Sequence, residues 1–213
     1  MQTVAVVDCG SGNLRSVEKA LREAARRAGV ETDIRVTDRP DAITGADRVV
    51  LPGVGAFRAC MGGLRDRPGL LEAMNEAVRG RGRPFLGVCV GMQLLADRGH
   101  EFGEAPGLGW IPGEVRPLQP SDPTLRVPHM GWNAVQALRP HPLFGGADGE
   151  AMYYANSFSF HPEDPASALA VSDHGGRFTA AVARGNIAGV QFHPEKSQDA
   201  GIGLLSRFLT WTP

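Results

Sequence analysis

The sequence predicts an α/β fold, with a mostly parallel sheet, helices on both of its faces and added antiparallel strands. In the first part of the chain, short apolar runs alternate with segments whose apolar residues recur at helical spacing. After residue 98, shorter and partly alternating runs take over, which is typical of antiparallel strands. The 213 residues suffice for a full core, and no repeat or linker divides them. We therefore expect a single domain over residues 1–213.

The first part of the chain alternates strands with helices. We predict strands at residues 3–8, 32–37 and 48–51, and helices at residues 14–28, 40–46 and 64–78. Asn13 stands at the N-cap position of the first helix, and Gly29 ends that helix. Gly10-Ser11-Gly12 lacks the third glycine of a phosphate-binding loop, so a simple strand-to-helix turn is the better interpretation. The β-α-β-α-β order predicts parallel strands joined by right-handed crossovers.

The second part of the chain is richer in strands. Residues 101–123 contain many glycines and prolines, which indicates an irregular segment with short edge strands. We predict short strands at residues 113–118, 127–138, 151–160, 168–171 and 178–183. Residues 187–192 form another apolar run, and the apolar residues within 204–209 mark a closing helix.

Residues 85–95 combine an apolar strand, a sharp turn and a helix around one cysteine. Cys89 stands at the turn, with Gly87 two residues before it and Gly91 two residues after it. A nucleophile elbow needs small residues at these positions, since a side chain would collide with the neighbouring strand or helix. At a helix N-terminus the free N–H groups and the helix dipole favour the thiolate, which is the nucleophilic form. A lone cysteine is usually a buried core residue, but a core strand has no use for the flanking glycines.

A cysteine nucleophile needs a base and a group that orients the base, and residues 189–196 offer both. His193 and Glu195 are two residues apart, so in an extended segment both project to one side. They follow an apolar strand and therefore lie at the carboxyl end of the sheet, where open α/β sheets hold their sites. We assign His193 as general base and acid, and Glu195 as the residue that fixes its tautomer. His161-Pro162-Glu163 repeats the tripeptide, but its surroundings indicate a surface turn.

An oxyanion hole needs backbone N–H groups aimed at developing negative charge. The residue after the nucleophile, Val90, would provide one of them. Residues 51–57 form a side-chain-poor loop at the carboxyl end of the third strand, in which Gly53 and Gly55 permit close approach to a ligand. The alternative interpretation of this loop is a simple strand-to-helix turn.

Composition excludes several classes of function. The net charge of −1 gives no electrostatic basis for binding nucleic acid or a membrane surface. No apolar run approaches the roughly 20 residues that span a bilayer, and the N-terminus lacks the basic region of a signal peptide. The three cysteines are far apart and form no C-x-x-C pair, which argues against disulfides and a zinc site and favours a reducing cytoplasm. We expect no metal and no cofactor.

Two motifs resemble those of the class I (triad-type) glutamine amidotransferases: G-x-C-x-G-M-Q at residues 87–93 and F-H-P-E at residues 192–195. Together, in this order, they are much more specific than either alone. Further segments resemble one family within the class, the glutamine amidotransferase subunits of imidazole glycerol phosphate synthase. These segments are GNL at residues 12–14, LPGVGAF at 51–57, HMGWN at 129–133, and QFHPEKS at 191–197 with Gly201, Gly203, Leu204 and Leu205. The resemblance covers essentially the whole chain.

The resemblance implies a flavodoxin-like class I glutamine amidotransferase fold and hydrolysis of L-glutamine to glutamate and ammonia through a glutamyl thioester. It implies that Cys89, His193 and Glu195 form the catalytic triad. The residues that it places at the substrate or the oxyanion are Gly53, Val54, Gly55, Val90, Gln93, Asn156 and Ser157. Asn13, Trp132 and Lys196 would face a partner protein.

The implied partner is a cyclase, a (β/α)8 barrel, bound as a heterodimer. Ammonia would pass into this barrel and react with a phosphoribulosyl-formimino nucleotide, giving imidazole glycerol phosphate and aminoimidazole carboxamide ribotide in histidine biosynthesis. The family's glutaminase is nearly idle until the partner holds its ligand, and the switch is thought to act at residues 53–55.

The chain departs from the family at one turn, where the usual His-Ser/Thr-Tyr is replaced by Asn156-Ser157-Phe158. Family contacts there are partly made by the backbone, so we expect glutamine binding to survive. Three alternatives remain: another class I glutaminase, such as that of pyridoxal phosphate synthase; a stand-alone cysteine hydrolase; and a non-catalytic binding module. The late F-H-P-E motif argues against the hydrolase, and the complete triad argues against the binding module.

Overall fold

A computed structural model describes residues 1–145 and 149–213 of the chain. Its strands are β1 (Gln2–Val7), β2 (Thr32–Thr37), β3 (Arg48–Gly53), β4 (Phe85–Cys89), β5 (Arg98–Gly99), β6 (Ala105–Pro106), β7 (Gly113–Pro117), β8 (His129–Ala134), β9 (Gln136–Ala137), β10 (Ala151–Asn156), β11 (Phe158–Pro162), β12 (Ala168–Asp173), β13 (Arg177–Arg184) and β14 (Ile187–Val190). Its α-helices are α1 (Leu14–Ala28), α2 (Pro40–Thr44), α3 (Phe57–Arg65), α4 (Leu70–Asn75), α5 (Val90–Gln93) and α6 (Gln198–Thr210).

The main sheet has eight strands in the order β2-β1-β3-β4-β14-β13-β12-β9. The first five run parallel, and β13, β12 and β9 are added antiparallel, which confirms the predicted α/β fold. Strand β4 lies near the middle and is buried along its whole length. In the strand order of the sheet, β2 lies on one side of β1, whereas β4 lies on the opposite side of β3. The connections β1–β2 and β3–β4 therefore cross the sheet in opposite directions. Since such crossovers are right-handed, α1 lies on one face of the sheet and α3 and α4 lie on the opposite face.

Two segments that the sequence predicts as long strands are each divided between two sheets. The predicted strand at residues 127–138 divides at Val135: β8 pairs with β10 in a two-stranded sheet, whereas β9 joins the edge of the main sheet. The predicted strand at residues 151–160 divides at Ser157, because β11 leaves β10 and pairs with β7 in a four-stranded sheet. Both predictions of one continuous strand are therefore wrong at a point where the chain changes sheets.

Two predicted helices also differ from the structure. The helix expected at residues 64–78 is interrupted, because Gly69 adopts a left-handed conformation (φ 77°) between α3 and α4, and α4 continues as a π-helical turn at Glu76–Gly80. Helix α3 already begins at Phe57. The helix after Cys89 is only four residues long, since the carbonyls of Leu94 and Leu95 accept hydrogen bonds from Leu108, Trp110 and Ile111 instead of continuing the helix.

The first helix follows the prediction at both ends with one difference. Gly29 ends α1 in a left-handed conformation with φ 65°. Asn13 holds the N-cap position, but its side chain makes no capping hydrogen bond; its carbonyl accepts from the N–H groups of Ser16 and Val17. No helix within the described ranges combines the length and apolar character needed to cross a bilayer.

Candidate active site

Cys89 sits at a strained turn between β4 and α5. Its backbone has φ 55°, in the left-handed region that side chains other than glycine rarely occupy, and its side chain is buried. A Cβ on Gly87 would lie 2.4 Å from the Gly91 carbonyl oxygen, and a Cβ on Gly91 would lie 1.8 Å from the Leu51 carbonyl oxygen. The turn therefore excludes side chains at both glycines, as an elbow requires.

His193 and Glu195 follow β14, the strand that runs parallel to β4 on one side. His193 Nδ1 lies 2.8 Å from Glu195 Oε1, and both side chains are buried. The prediction of an extended pair is wrong in one respect: Pro194–Lys196 forms a 3₁₀ turn, which bends Glu195 back to the imidazole. The backbone N–H of His193 donates a hydrogen bond to the Tyr153 carbonyl at 2.8 Å, which holds the residue in place.

The electrostatics of His193 favour its protonated form. Burial opposes the charged imidazolium, but hydrogen bonds to Cys89 and Glu195 outweigh burial and raise the pKa of His193 to about 9. At neutral pH the imidazole therefore carries a proton beside the cysteine sulfur. This arrangement suits a thiolate–imidazolium pair, in which the histidine holds the proton that a leaving amine needs. The single turn of α5 offers fewer aligned peptide dipoles than the longer helix that the sequence predicts.

Gln191 contacts Cys89, a contact that the sequence analysis did not predict. Its side chain is fully buried, and its Nε2 donates to Cys89 Sγ at 3.7 Å. Gln93 completes the arrangement, because its Nε2 donates to Gln191 Oε1 at 3.0 Å and to the Phe158 carbonyl at 3.3 Å. The sequence did contain a signal for Gln191, because its polar carboxamide stands within an apolar run. A buried carboxamide needs a hydrogen-bond partner, so such a residue indicates a specific contact.

The loop after β3 lies directly beside the nucleophile. Gly53 is in register with Cys89, and a Cβ on Gly53 would lie 2.8 Å from the Gly91 N atom. Gly55 adopts φ 85°, a conformation that favours glycine, and Val54 between them is 38 % exposed. We call residues 52–56 the oxyanion loop, after the role that the sequence predicts for them. The backbone of this loop lies against the turn at Cys89.

A cleft of about 500 Å³ opens at this point. Most of the residues that the sequence assigns to the substrate or the triad line it: Val54, Gly55, Cys89, Val90, Gln93, Asn156, Ser157 and His193, together with Lys196. Asn156 is buried, and its Nδ2 donates to the Phe158 carbonyl at 3.0 Å. Its Oδ1 has no hydrogen-bond partner among the described residues. The side chain of Asn156 thus braces the turn that forms one wall of the cleft.

Glu101 is a second residue that the sequence reasoning missed. It lines the cleft, and its Oε2 accepts a hydrogen bond from the Phe57 N–H at 2.7 Å. The carboxylate thereby caps the N-terminus of α3, the helix that follows the oxyanion loop.

The three residues predicted to face a partner are accessible. Trp132 is 49 % exposed, Lys196 and Asn13 are exposed, and Tyr153 connects two of them. The Tyr153 ring meets Trp132 edge-on at 6.0 Å between centroids and lies 5.8 Å from Lys196 Nζ. An aromatic and cationic surface therefore adjoins the cleft.

The other His-Pro-Glu tripeptide, at residues 161–163, does not line the cleft. His161 and Pro162 end strand β11 rather than forming a turn, and His161 Nε2 lies 3.0 Å from Ser159 Oγ. Within residues 1–145 and 149–213, no group of three or more His, Cys, Asp or Glu side chains is placed to hold a metal ion.

Comparison with known proteins adds a family and relatives to this geometry. The family described as glutamine amidotransferase class-I matches residues 5–210. The subunit HisH of imidazole glycerol phosphate synthase from Caulobacter vibrioides is 62 % identical over 100 % of both chains. The corresponding subunits from Rhodospirillum rubrum and Agrobacterium fabrum are 53 % and 50 % identical over 99 % of both chains.

Solved structures show the same fold at low sequence identity. A crystal structure described as a glutamine amidotransferase has a TM-score of 0.70 at 18 % identity, covering 96 % of this chain and 98 % of its own. A glutamine amidotransferase from Thermotoga maritima has a TM-score of 0.61 at 16 % identity, covering 98 % of this chain and 96 % of its own.

Proposed function

The chain belongs to the class-I glutamine amidotransferase family, and we propose on that premise that it is the glutaminase subunit of an imidazole glycerol phosphate synthase. The observation that carries the proposal is the connected set of Cys89, His193 and Glu195 at the carboxyl ends of two adjacent central strands. Full-length similarity to synthase subunits supports the assignment within the class. We take residues 1–213 to act as one domain, which the family match over residues 5–210 supports.

In the first chemical step, the Cys89 thiolate attacks the side-chain amide carbon of L-glutamine. Negative charge develops on the amide oxygen, and we assign its stabilisation to the backbone N–H groups of Val90 and Val54. Gly53 and Gly55 allow the loop to approach the substrate, and Gln93, Asn156 and Ser157 form the surrounding walls. The Gln191 amide, which contacts the sulfur, stabilises its anionic form.

Collapse of the tetrahedral intermediate breaks the carbon–nitrogen bond. His193 gives its proton to the leaving nitrogen, so ammonia departs and a glutamyl thioester remains on Cys89. His193, now neutral, takes a proton from a water molecule that attacks the thioester. Glutamate then leaves and the thiolate–imidazolium pair is restored. Glu195 holds Nδ1 throughout, which keeps Nε2 free for these proton transfers.

The relatives are subunits of a synthase, and a partner protein is therefore part of the proposal. We propose that this partner is a (β/α)8-barrel cyclase, bound as a heterodimer against the surface that includes Trp132, Lys196 and Asn13. Ammonia would pass to the cyclase and not to solvent. We place the complex in the cytoplasm, which the three free cysteines support.

The test is glutamate release from L-glutamine by the chain alone, with a matching cyclase, and with that cyclase plus its nucleotide ligand. We expect a large increase only in the last case, and its loss in the Cys89→Ala variant. A Cys89→Ala complex that still releases glutamate at the original rate would contradict the proposal.

The same measurement separates the alternatives. High activity without a partner would indicate an ungated hydrolase. Activation by the synthase component of pyridoxal phosphate biosynthesis would indicate another class I glutaminase. No observation on the described residues favours either of these over the proposed function.

A further inference from the structure

Beneath the oxyanion loop lie two buried thiols and one half-buried hydroxyl, those of Cys9, Cys60 and Ser11, which we call the thiol cluster. Cys60 is fully buried and Cys9 nearly so. Ser11 Oγ lies 3.4 Å from Cys9 Sγ and 3.1 Å from Cys60 Sγ. The chemistry proposed above uses none of these side chains.

The cluster is bonded to the loop through backbone carbonyls. Cys60 Sγ donates to the Val54 carbonyl oxygen at 3.3 Å, whereas Cys9 Sγ is 3.9 Å from the Pro52 carbonyl oxygen. A hydrogen bond to the Val54 carbonyl fixes the plane of the Val54–Gly55 peptide. That peptide directly follows the one whose N–H we assign to the oxyanion.

Cys60 stays a donor in this setting. Its contact with Cys9, together with burial, raises the pKa of Cys60, so the thiol keeps its single proton. The hydrogen bond that this proton makes goes to the Val54 carbonyl oxygen.

Helix α3 holds Cys60 rigidly under the loop. A Cβ on Gly63 would lie 1.9 Å from the Cys9 carbonyl oxygen, so the helix contacts the backbone that follows β1 without an intervening side chain. At its start, the Phe57 N–H is held by Glu101 Oε2. The sulfur of Cys60 thus has little freedom to move away from Val54.

We propose that Cys60 is a positioning residue for the glutaminase reaction: its thiol holds the Val54 carbonyl and thereby sets the orientation of the oxyanion loop toward Cys89. This inference rests on the proposed function. Because the loop acts on charge that develops during the reaction, losing the donor should lower kcat and leave KM nearly unchanged.

The experiment compares Cys60→Ala with Cys60→Ser in the full chain, bound to the cyclase with its ligand. Serine keeps a hydroxyl donor in the place of the thiol, whereas alanine removes the donor and leaves a small void. We expect kcat to fall about fivefold in Cys60→Ala, the effect of one hydrogen bond, with KM unchanged within about twofold. Cys60→Ser should restore most of kcat.

Cys9→Ala is the control, because it removes a second buried thiol whose contact with the loop is the longer one, to Pro52, and which does not bond Val54. It should reduce kcat less than Cys60→Ala. Equal kcat in Cys60→Ala and Cys9→Ala, or no recovery in Cys60→Ser, would overturn the inference. If Cys60→Ala does not fold, Cys60→Val fills the space without a donor and must show the same loss of kcat. A wild-type complex that releases no glutamate would instead refute the proposed function itself.

Discussion

The position of Cys89 at the turn requires a strained backbone conformation. A side chain at φ 55° costs of order 1–2 kcal/mol relative to an ordinary conformation. Gly87 and Gly91 make this tight turn possible, because a Cβ at either position would collide with a backbone carbonyl. Strain of this kind is common where a side chain must project from a turn toward a substrate, and here it places the sulfur between His193 and Gln191.

Glu195→Gln should shift the ionisation of its neighbour. The hydrogen bond that Glu195 accepts from His193 Nδ1 contributes to raising the pKa of His193 to about 9, so a neutral amide should lower that pKa. The imidazolium is lost as pH rises through the pKa, and the alkaline limb of the kcat/KM profile should therefore move to lower pH. We also expect kcat to fall by about 10²–10⁴, as when a triad carboxylate is neutralised.

The pH profile of the activated complex, with NMR titration of the His193 ring, checks this prediction. Glu163→Gln is the matched control, since it alters the other His-Pro-Glu tripeptide. An unchanged alkaline limb in Glu195→Gln would contradict the role assigned to Glu195.

Gln191→Leu should make the nucleophile less reactive. The amide donates to Cys89 Sγ, and a hydrogen bond to the sulfur favours the thiolate. Its loss, at about 0.5–1.5 kcal/mol, should slow alkylation of Cys89 by iodoacetamide at neutral pH by about two- to tenfold. Mass spectrometry assigns the label to Cys89. Equal alkylation rates in the variant and the wild type would show that the Gln191 hydrogen bond does not affect the reactivity of Cys89.

At the scale of elements, the positions of the site depend on which strands are neighbours. The oxyanion loop follows β3 and His193 follows β14, and these strands flank β4 on its two sides. All three strands are parallel, so their carboxyl ends meet at one edge of the sheet. Strand order thus brings Cys89, the oxyanion loop and His193 together.

Two adjacent glycines in α3 should respond oppositely to alanine. A Cβ on Gly62 would meet nothing within 4 Å, so Gly62→Ala should stabilise the chain by about 0.5–1 kcal/mol through helix propensity. A Cβ on Gly63 would lie 1.9 Å from the Cys9 carbonyl oxygen, so Gly63→Ala should destabilise it by about 3 kcal/mol or more. Urea unfolding of both variants measures the difference, and similar midpoints would contradict the packing of α3.

At the scale of the whole molecule, the exposed aromatic surface should govern assembly. Trp132 is a half-exposed tryptophan beside the cleft, and such residues often dominate interfaces. We expect Trp132→Ala to raise the Kd for the cyclase by at least about tenfold, which corresponds to about 1.4 kcal/mol or more. Leu138→Ala, a residue of equal exposure (48 %) near the β9 edge, is the control. Calorimetric titration that finds the same Kd for both variants would place the interface elsewhere.

The sequence predicted the α/β class and the parallel first half, because apolar runs and helical periodicity are local signals. It also identified the glycines around Cys89, since an elbow imposes its requirement on nearby residues. It could not predict that β8 and β9, or β10 and β11, belong to different sheets, because pairing partners distant in sequence decide this. The contacts of Gln191, Glu101 and Cys60 were hidden for the same reason.

The late strand β14 enters the middle of the sheet, between β4 and β13. During synthesis on the ribosome, Cys89 and the oxyanion loop emerge long before His193. Until β14 has emerged and paired, β4 has an open edge and the cysteine has no base. If Cys89 and His193 act as proposed, glutamine hydrolysis must await the pairing of β14, one of the last strands to be synthesised.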